Sequence, residues 1–191
     1  MIDPSHAYLA GCLLVAMPGI GDLRFERAVI LICSHDADHA MGLVVNRPIE
    51  GLTLSSMLKQ LGVETHGPPI RDLAVMGGPV ETERGFVLHT DDYPAPAASL
   101  NVPGGLALTA TREILVALAA RGGTPRCAVM ALGYAGWEGG QLEREIRENV
   151  WLTAEPDESL LFGDDHEHKW TRALAKIGVS ADRLSTQGGL A

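Results

Sequence analysis

The run Ala28-Val29-Ile30-Leu31-Ile32-Cys33 constrains this chain more than any other feature. A strand alternates its side chains between two faces, so an unbroken apolar run rich in branched residues reads as a strand buried on both. Met41 to Asn46 (Met-Gly-Leu-Val-Val-Asn) reads as a second strand. The link Ser34-His35-Asp36-Ala37-Asp38-His39 is short and polar, which predicts an antiparallel pair. Asn46-Arg47-Pro48 ends the second strand, because proline cannot donate to a ladder and holds Arg47 extended.

Further strands are expected at Gly11–Met17, Leu73–Met76, Gly85–His89, Leu106–Leu108 and Arg126–Leu132, with Asp91–Gly105 as an irregular connection. The first clear helix is Thr53–Leu61. Its Leu54, Met57, Leu58 and Leu61 form one stripe, with Thr53 as N-cap and Gly62 as stop. A second helix is expected over Thr111–Arg121, capped by Thr111 and halted by Gly122-Gly123. A third covers Gly140–Asn149, with Leu142 and Ile146 inward and Glu143 and Arg147 as an i, i+4 pair. The last runs from about His166 to Ile177 and stops at Gly178.

Strands and helices do not alternate as in a doubly wound sheet. The expectation is an α+β fold: one compact domain over residues 1–191, with a mixed, largely antiparallel sheet flanked by helices. A chain of 191 residues with 46% hydrophobic and 20% charged residues can build such a core. Cys12, Cys33 and Cys127 are odd in number and widely spaced, so free thiols in a reducing cytoplasm are expected. Met1–His6 lacks a basic n-region, and no apolar stretch nears the ~18 residues a membrane span needs, so neither secretory leader nor membrane association is expected.

Several blocks taken in order carry a resemblance. They include Leu14-Val15-Ala16-Met17-Pro18, Ala40-Met41-Gly42-Leu43-Val44-Val45-Asn46-Arg47-Pro48 and Gly77-Gly78-Pro79-Val80. Arg84-Gly85-Phe86-Val87-Leu88-His89, Leu132-Gly133-Tyr134-Ala135-Gly136-Trp137, Gly140 to Ile146 and Asn149-Val150-Trp151-Leu152 follow. The series, from about Leu13 to Trp170, resembles the YqgE/AlgH family of bacterial proteins. The resemblance implies an α/β fold and the label of transcriptional regulator that members often carry. It implies no molecular activity, because none is established for the family as a whole.

Catalytic signatures are absent: no G-x-S-x-G elbow, Walker loop, C-x-x-C or H-E-x-x-H occurs. His35-Asp36-Ala37-Asp38-His39 carries metal-ligand residue types, but a polar hairpin turn explains them, and no metal or cofactor is assigned. The candidate ligand site is a composite of Asn46, Arg47, Gly77, Gly78, Arg84, His89, Trp137, Gln141 and Glu145. Most lie at or just beyond strand ends, where glycine amides and an arginine fork could hold a small anion. The competing reading makes the glycines tight turns, pairs the arginines with Glu81, Glu83 or Glu143, and makes His89 a satisfied structural histidine. Gln141, Glu145 and Asn149 share one face of the third helix, as a pocket wall or a solvated flank.

The net charge is −9. Residues 138–167 hold ten acids against Arg144 and Arg147, a net of −8, and Trp137, Trp151 and Trp170 lie in or beside them. This argues against direct nucleic-acid contact, which demands a basic footprint. The segment is where a protein partner is expected. Two functions follow: a non-catalytic cytoplasmic regulatory or interaction protein that acts on transcription indirectly, or a small-anion or nucleotide-like ligand-binding protein or enzyme using the composite around Asn46, Arg47, Gly78 and Arg84.

Overall fold

The computed structural model describes residues 8–64, 72–94, 99–120, 123, 125–181 and 184. The element order is β1 (Leu13–Ala16), β2 (Val29–His35), β3 (His39–Val44), β4 (Pro48–Thr53), α1 (Leu54–Gln60), β5 (Ala74–Gly77), β6 (Val80–Thr90) and β7 (Leu100–Val102). There follow β8 (Leu106–Thr109), α2 (Arg112–Ala119), β9 (Ala128–Glu138), α3 (Gln141–Arg147), β10 (Trp151–Ala154), α4 (Glu158–Phe162) and α5 (Lys169–Lys176). This is the expected α+β class with a mixed, largely antiparallel sheet. The chain forms two compact units, residues 1–46 with 135–191, and residues 47–134; β9 gives its first part to the second unit and its end to the first. The readings of Met1–His6 and of Arg121-Gly122 as a helix end lie outside the described residues.

In the first unit the strand order is β10-β1-β2-β3-β9, antiparallel throughout. The apolar run becomes β2, fully buried from Val29 to Cys33. Alternate residues Ile30 and Ile32 join Leu14, Val44, Trp137, Leu142 and Trp151 in one core cluster. Leu13, Leu31 and Leu43, one position out of phase, are buried too. The β2–β3 hairpin is as read, with a register shift between Ile32 and Ser34. Its turn is held by Asp36, whose Oδ1 accepts from the amides of Asp38 at 2.9 Å and His39 at 3.0 Å.

The helix expected from about His166 is α5, and it begins later, at Lys169. Before it stands α4, a separate turn that the periodicity did not reveal, capped by Asp157 accepting from the Leu160 amide at 2.9 Å. The expected Glu143–Arg147 side-chain pair does not form. Arg147 Nε instead donates to the Glu143 backbone carbonyl at 3.2 Å, and the Glu143 carboxylate turns to His35.

In the second unit β7, β8, β6 and β9 run antiparallel in that order, while β5 lies parallel to β9 and antiparallel to β4. Leu54, Leu58, Val75, Val87, Ile114, Leu115, Ala128 and Met130 form its core. Thr53 caps α1 in a reciprocal box: its hydroxyl accepts from the Ser56 amide, and the Ser56 hydroxyl accepts from the Thr53 amide at 2.9 Å. Thr111 holds the N-cap position of α2, but its hydroxyl makes no capping bond. Pro48, read as a terminator, opens β4; a first strand position tolerates the missing N–H.

Candidate functional site

The predicted site residues fall into both units. In the first, β9 delivers Trp137, α3 delivers Gln141 and Glu145, and β10 delivers Trp151. Glu145 Oε2 accepts from both indole N–H groups, Trp137 at 2.9 Å and Trp151 at 2.8 Å. Oε1 accepts from Gln141 Nε2 at 2.8 Å, and Gln141 Oε1 accepts from the Glu138 amide at 3.0 Å. So Trp137, Gln141 and Glu145 do converge, but on one another. Trp151 completes the set and was missed, because its indole N–H is invisible to a hydrophobic pattern. A carboxylate that already accepts three bonds from buried or half-buried donors acts as a brace.

Asn46 stands apart from that cluster. Its Oδ1 accepts from the Val29 amide and its Nδ2 donates to the Arg27 carbonyl, both at 2.8 Å, fixing the start of β2.

His35 and Glu143 form a second pair that the sequence did not suggest. The Leu9 amide donates to His35 Nδ1 at 3.0 Å, so the ring proton sits on Nε2, which donates to Glu143 Oε1 at 3.0 Å. A third unforeseen group is Lys169. Its side chain is wholly buried, and Nζ donates to the carbonyls of Val45 at 2.9 Å and Leu161 at 3.2 Å. Lysines are rarely fully buried, and nothing in the local sequence marks this one.

In the second unit the glycines are consumed by close packing. Gly77 N–H donates to the Arg47 carbonyl at 2.9 Å and Gly78 N–H to the Leu132 carbonyl at 2.8 Å. Neither amide remains for an anion, which corrects the expected cradle. A Cβ at Gly78 would fall 2.4 Å from the Tyr134 amide nitrogen. Gly133, at φ +76, would place one 2.7 Å from the carbonyl oxygens of Gly78 and Val80. Arg84 is exposed, pairs with Glu81 at 3.1 Å, and lies over the Phe86 ring at 5.2 Å. His89 is wholly buried; Nδ1–H donates to the Thr90 carbonyl and Nε2 accepts from the Thr109 hydroxyl, both at 2.8 Å. Thr109 Oγ1 in turn lies 2.6 Å from Ser99 Oγ. This is the satisfied structural histidine.

The three cysteines are free, and burial pushes the Cys33 thiol up to about 12. Among the described residues no three His, Cys, Asp or Glu side chains gather to hold a metal ion, and no helix is long and apolar enough to cross a membrane.

Fold and site together define a mixed α+β protein in which Asn46, His35, His89, Glu145 and Lys169 bond to its own framework. The chain belongs to the AlgH-like family, which it matches over residues 13–182. A UPF0301 protein of Caulobacter vibrioides is 58% identical over 189 residues, 99% of this chain and 97% of that one. Another, from Cereibacter sphaeroides, is 50% identical over 182 residues, 95% of this chain and 98% of that one. The solution structure of the AlgH protein from Pseudomonas aeruginosa aligns with a TM-score of 0.75 at 39% identity, covering 100% of both chains. A Corynebacterium diphtheriae crystal structure shares the fold at 18% identity, with a TM-score of 0.64 over 87% of this chain and 85% of that one.

Proposed function

We propose that this chain is a non-catalytic cytoplasmic interaction protein that meets a cationic protein partner through the acidic face of residues 138–167. An effect on transcription would pass through that partner and not through DNA contact. One observation carries the reading: the chemistry-bearing side chains are spent on the fold, while the acid is displayed. Glu145, Asn46, His35 and His89 all have protein partners. In the acidic segment, Glu138, Glu148, Glu155, Glu158, Asp164, Asp165 and Glu167 are exposed. Arg144 and Arg147 are exposed among them, so the surface is predominantly acidic; such a surface steers an oppositely charged partner and disfavours nucleic acid.

The test is affinity capture from bacterial lysate with the wild-type chain and with the variant Glu148→Lys, Glu155→Lys, Glu167→Lys. The reading expects a protein held by wild type and lost by the variant at unchanged circular dichroism. Identical captured sets, or a salt-resistant shift of duplex DNA by wild type, would overturn it.

A further inference from the structure

The His35 side chain, at the end of β2, is only 2% exposed. Three groups close around its ring. The Leu9 amide donates to Nδ1, and Nε2–H donates to Glu143 Oε1, both at 3.0 Å. The Tyr8 ring lies edge-on, 5.3 Å away at 72°. Residues 8 and 9 thus reach β2 through the imidazole. Backbone pairing with β2 starts only at Gly11, whose N–H donates to the Ile32 carbonyl at 2.8 Å.

The two ring bonds respond oppositely to a proton. The bond from Leu9 needs a bare Nδ1, and so a neutral ring. A proton added at Nδ1 sets one N–H against another, and that bond is lost. The bond to Glu143 survives and becomes an ion pair. An imidazolium also draws in water, because burial penalises its charge. Tyr8, itself 42% exposed, and the half-buried Leu9 are the cover that can yield.

Among the described residues, Glu143 of α3 is the acid bonded to the ring, and Arg147 Nε donates to that residue's carbonyl. Asp36, in the hairpin turn, accepts from the Asp38 and His39 amides and pairs with His39 Nδ1 at 3.0 Å. On β9, Glu138 stands opposite His39. Past Leu9, burial and Glu155 push the Cys12 thiol up.

We propose that His35 is an acid-released latch: protonation at Nδ1 frees residues 8–10 from β2, while the ring stays on Glu143 and β1, β2 and β3 keep their pairing. The latch needs no partner, so it stands or falls apart from the acidic surface.

The test is nuclear magnetic resonance of the full nitrogen-labelled chain from about pH 8 to about pH 5, the span over which an imidazole takes its proton. At the upper end His35 should show one protonated and one bare ring nitrogen, cross-peaks from the Tyr8 ring, and an ordered Leu9 amide. On acidification the cross-peaks should vanish and the Leu9 heteronuclear NOE should drop to that of a loose terminus. Its midpoint should coincide with that of the ring nitrogens, and the β2 and β3 amides should stay ordered. Glu143→Gln keeps an acceptor and removes the counter-charge, so it should carry the Leu9 midpoint to lower pH. His35→Asn keeps an oxygen near the place of Nδ1 and takes no proton, so Leu9 should stay ordered throughout.

The latch is overturned if wild-type Leu9 stays ordered at about pH 5 or if its midpoint departs from that of the ring nitrogens. It is equally overturned if Glu143→Gln leaves the midpoint in place, or if His35→Asn loses Leu9 with the wild-type pH dependence. Should His35→Asn fail to fold, the wild-type midpoints and their shift in Glu143→Gln decide alone.

Discussion

Trp137 and Trp151 meet edge to face, ring centroids 6.0 Å apart at 81°, and both aim their indole N–H at the same oxygen of Glu145. They come from different strands, β9 and β10, with α3 between them in the chain. One carboxylate thereby ties two strands and a helix at the core of the first unit. In Glu145→Gln the amide must either turn its NH₂ towards the two indoles or towards Gln141. Either way a donor faces a donor, at a cost of about 1–3 kcal/mol. Thermal melting should fall by several degrees, with tryptophan emission shifting as the indoles lose their acceptor. Melting within a degree of wild type would contradict the brace.

Gly133 and Gly51 share a left-handed backbone but differ in surroundings. At Gly133 (φ +76) an added Cβ meets two carbonyl oxygens at 2.7 Å; at Gly51 (φ +72) it meets nothing within 4 Å. Gly51→Ala should cost only the conformational term, about 1–2 kcal/mol. Gly133→Ala adds a clash with backbone that cannot move aside, worth about 1–3 kcal/mol more. Urea denaturation of the two variants measures the gap, and equal midpoints would refute the close approach.

Lys169 joins three segments, since its Nζ reaches Val45 at the end of the β2–β3 hairpin and Leu161 in α4. Lys169→Met keeps the buried stem and leaves both carbonyls without this donor. A loss of about 1–3 kcal/mol in unfolding free energy is expected. Amide exchange should rise first around α4 and α5. A variant as stable as wild type would mean the ammonium contributes nothing to the packing.

Asp157 gives a pH prediction. Burial works against its charged form, yet hydrogen bonds from Ser159, Lys176 and the Leu160 amide outweigh that and hold the carboxyl at about 2, below its usual 3.8. The folded value is depressed, so the stabilisation is present above the unfolded value and fades as pH falls through about 2. Asp157→Asn keeps an oxygen for the cap and removes the charge. Wild type should be the more stable at neutral pH, with the difference shrinking steadily between pH 4 and pH 2. A difference that does not change with pH would assign the effect to the cap alone.

The fold class and the β2–β3 hairpin were legible because they rest on strong local signals: an unbroken branched run and a polar turn. The α1 cap was legible for the same reason, Thr53 standing one residue before an apolar stripe. α4 was not, since five residues cannot display a period. β4 was hidden by Pro48, which a first strand position accommodates. The site was half legible. Trp137, Gln141 and Glu145 were singled out and do converge, but the direction of their hydrogen bonds depends on Trp151, set beside them by strand pairing. Gly77 and Gly78 look alike as turn glycines or anion cradles until the acceptors Arg47 and Leu132 are known. The buried state of Lys169 depends on contacts with residues as distant in the chain as Val45, which local pattern cannot carry.

The proposed docking of a cationic protein on residues 138–167 is a matter of charge and therefore of ionic strength. The decisive experiment titrates the captured partner into wild type and into the Glu148→Lys, Glu155→Lys, Glu167→Lys variant at two ionic strengths. The variant should bind at least about tenfold more weakly, and wild-type binding should weaken at higher salt. Equal affinities for both chains, unchanged by salt, would contradict it.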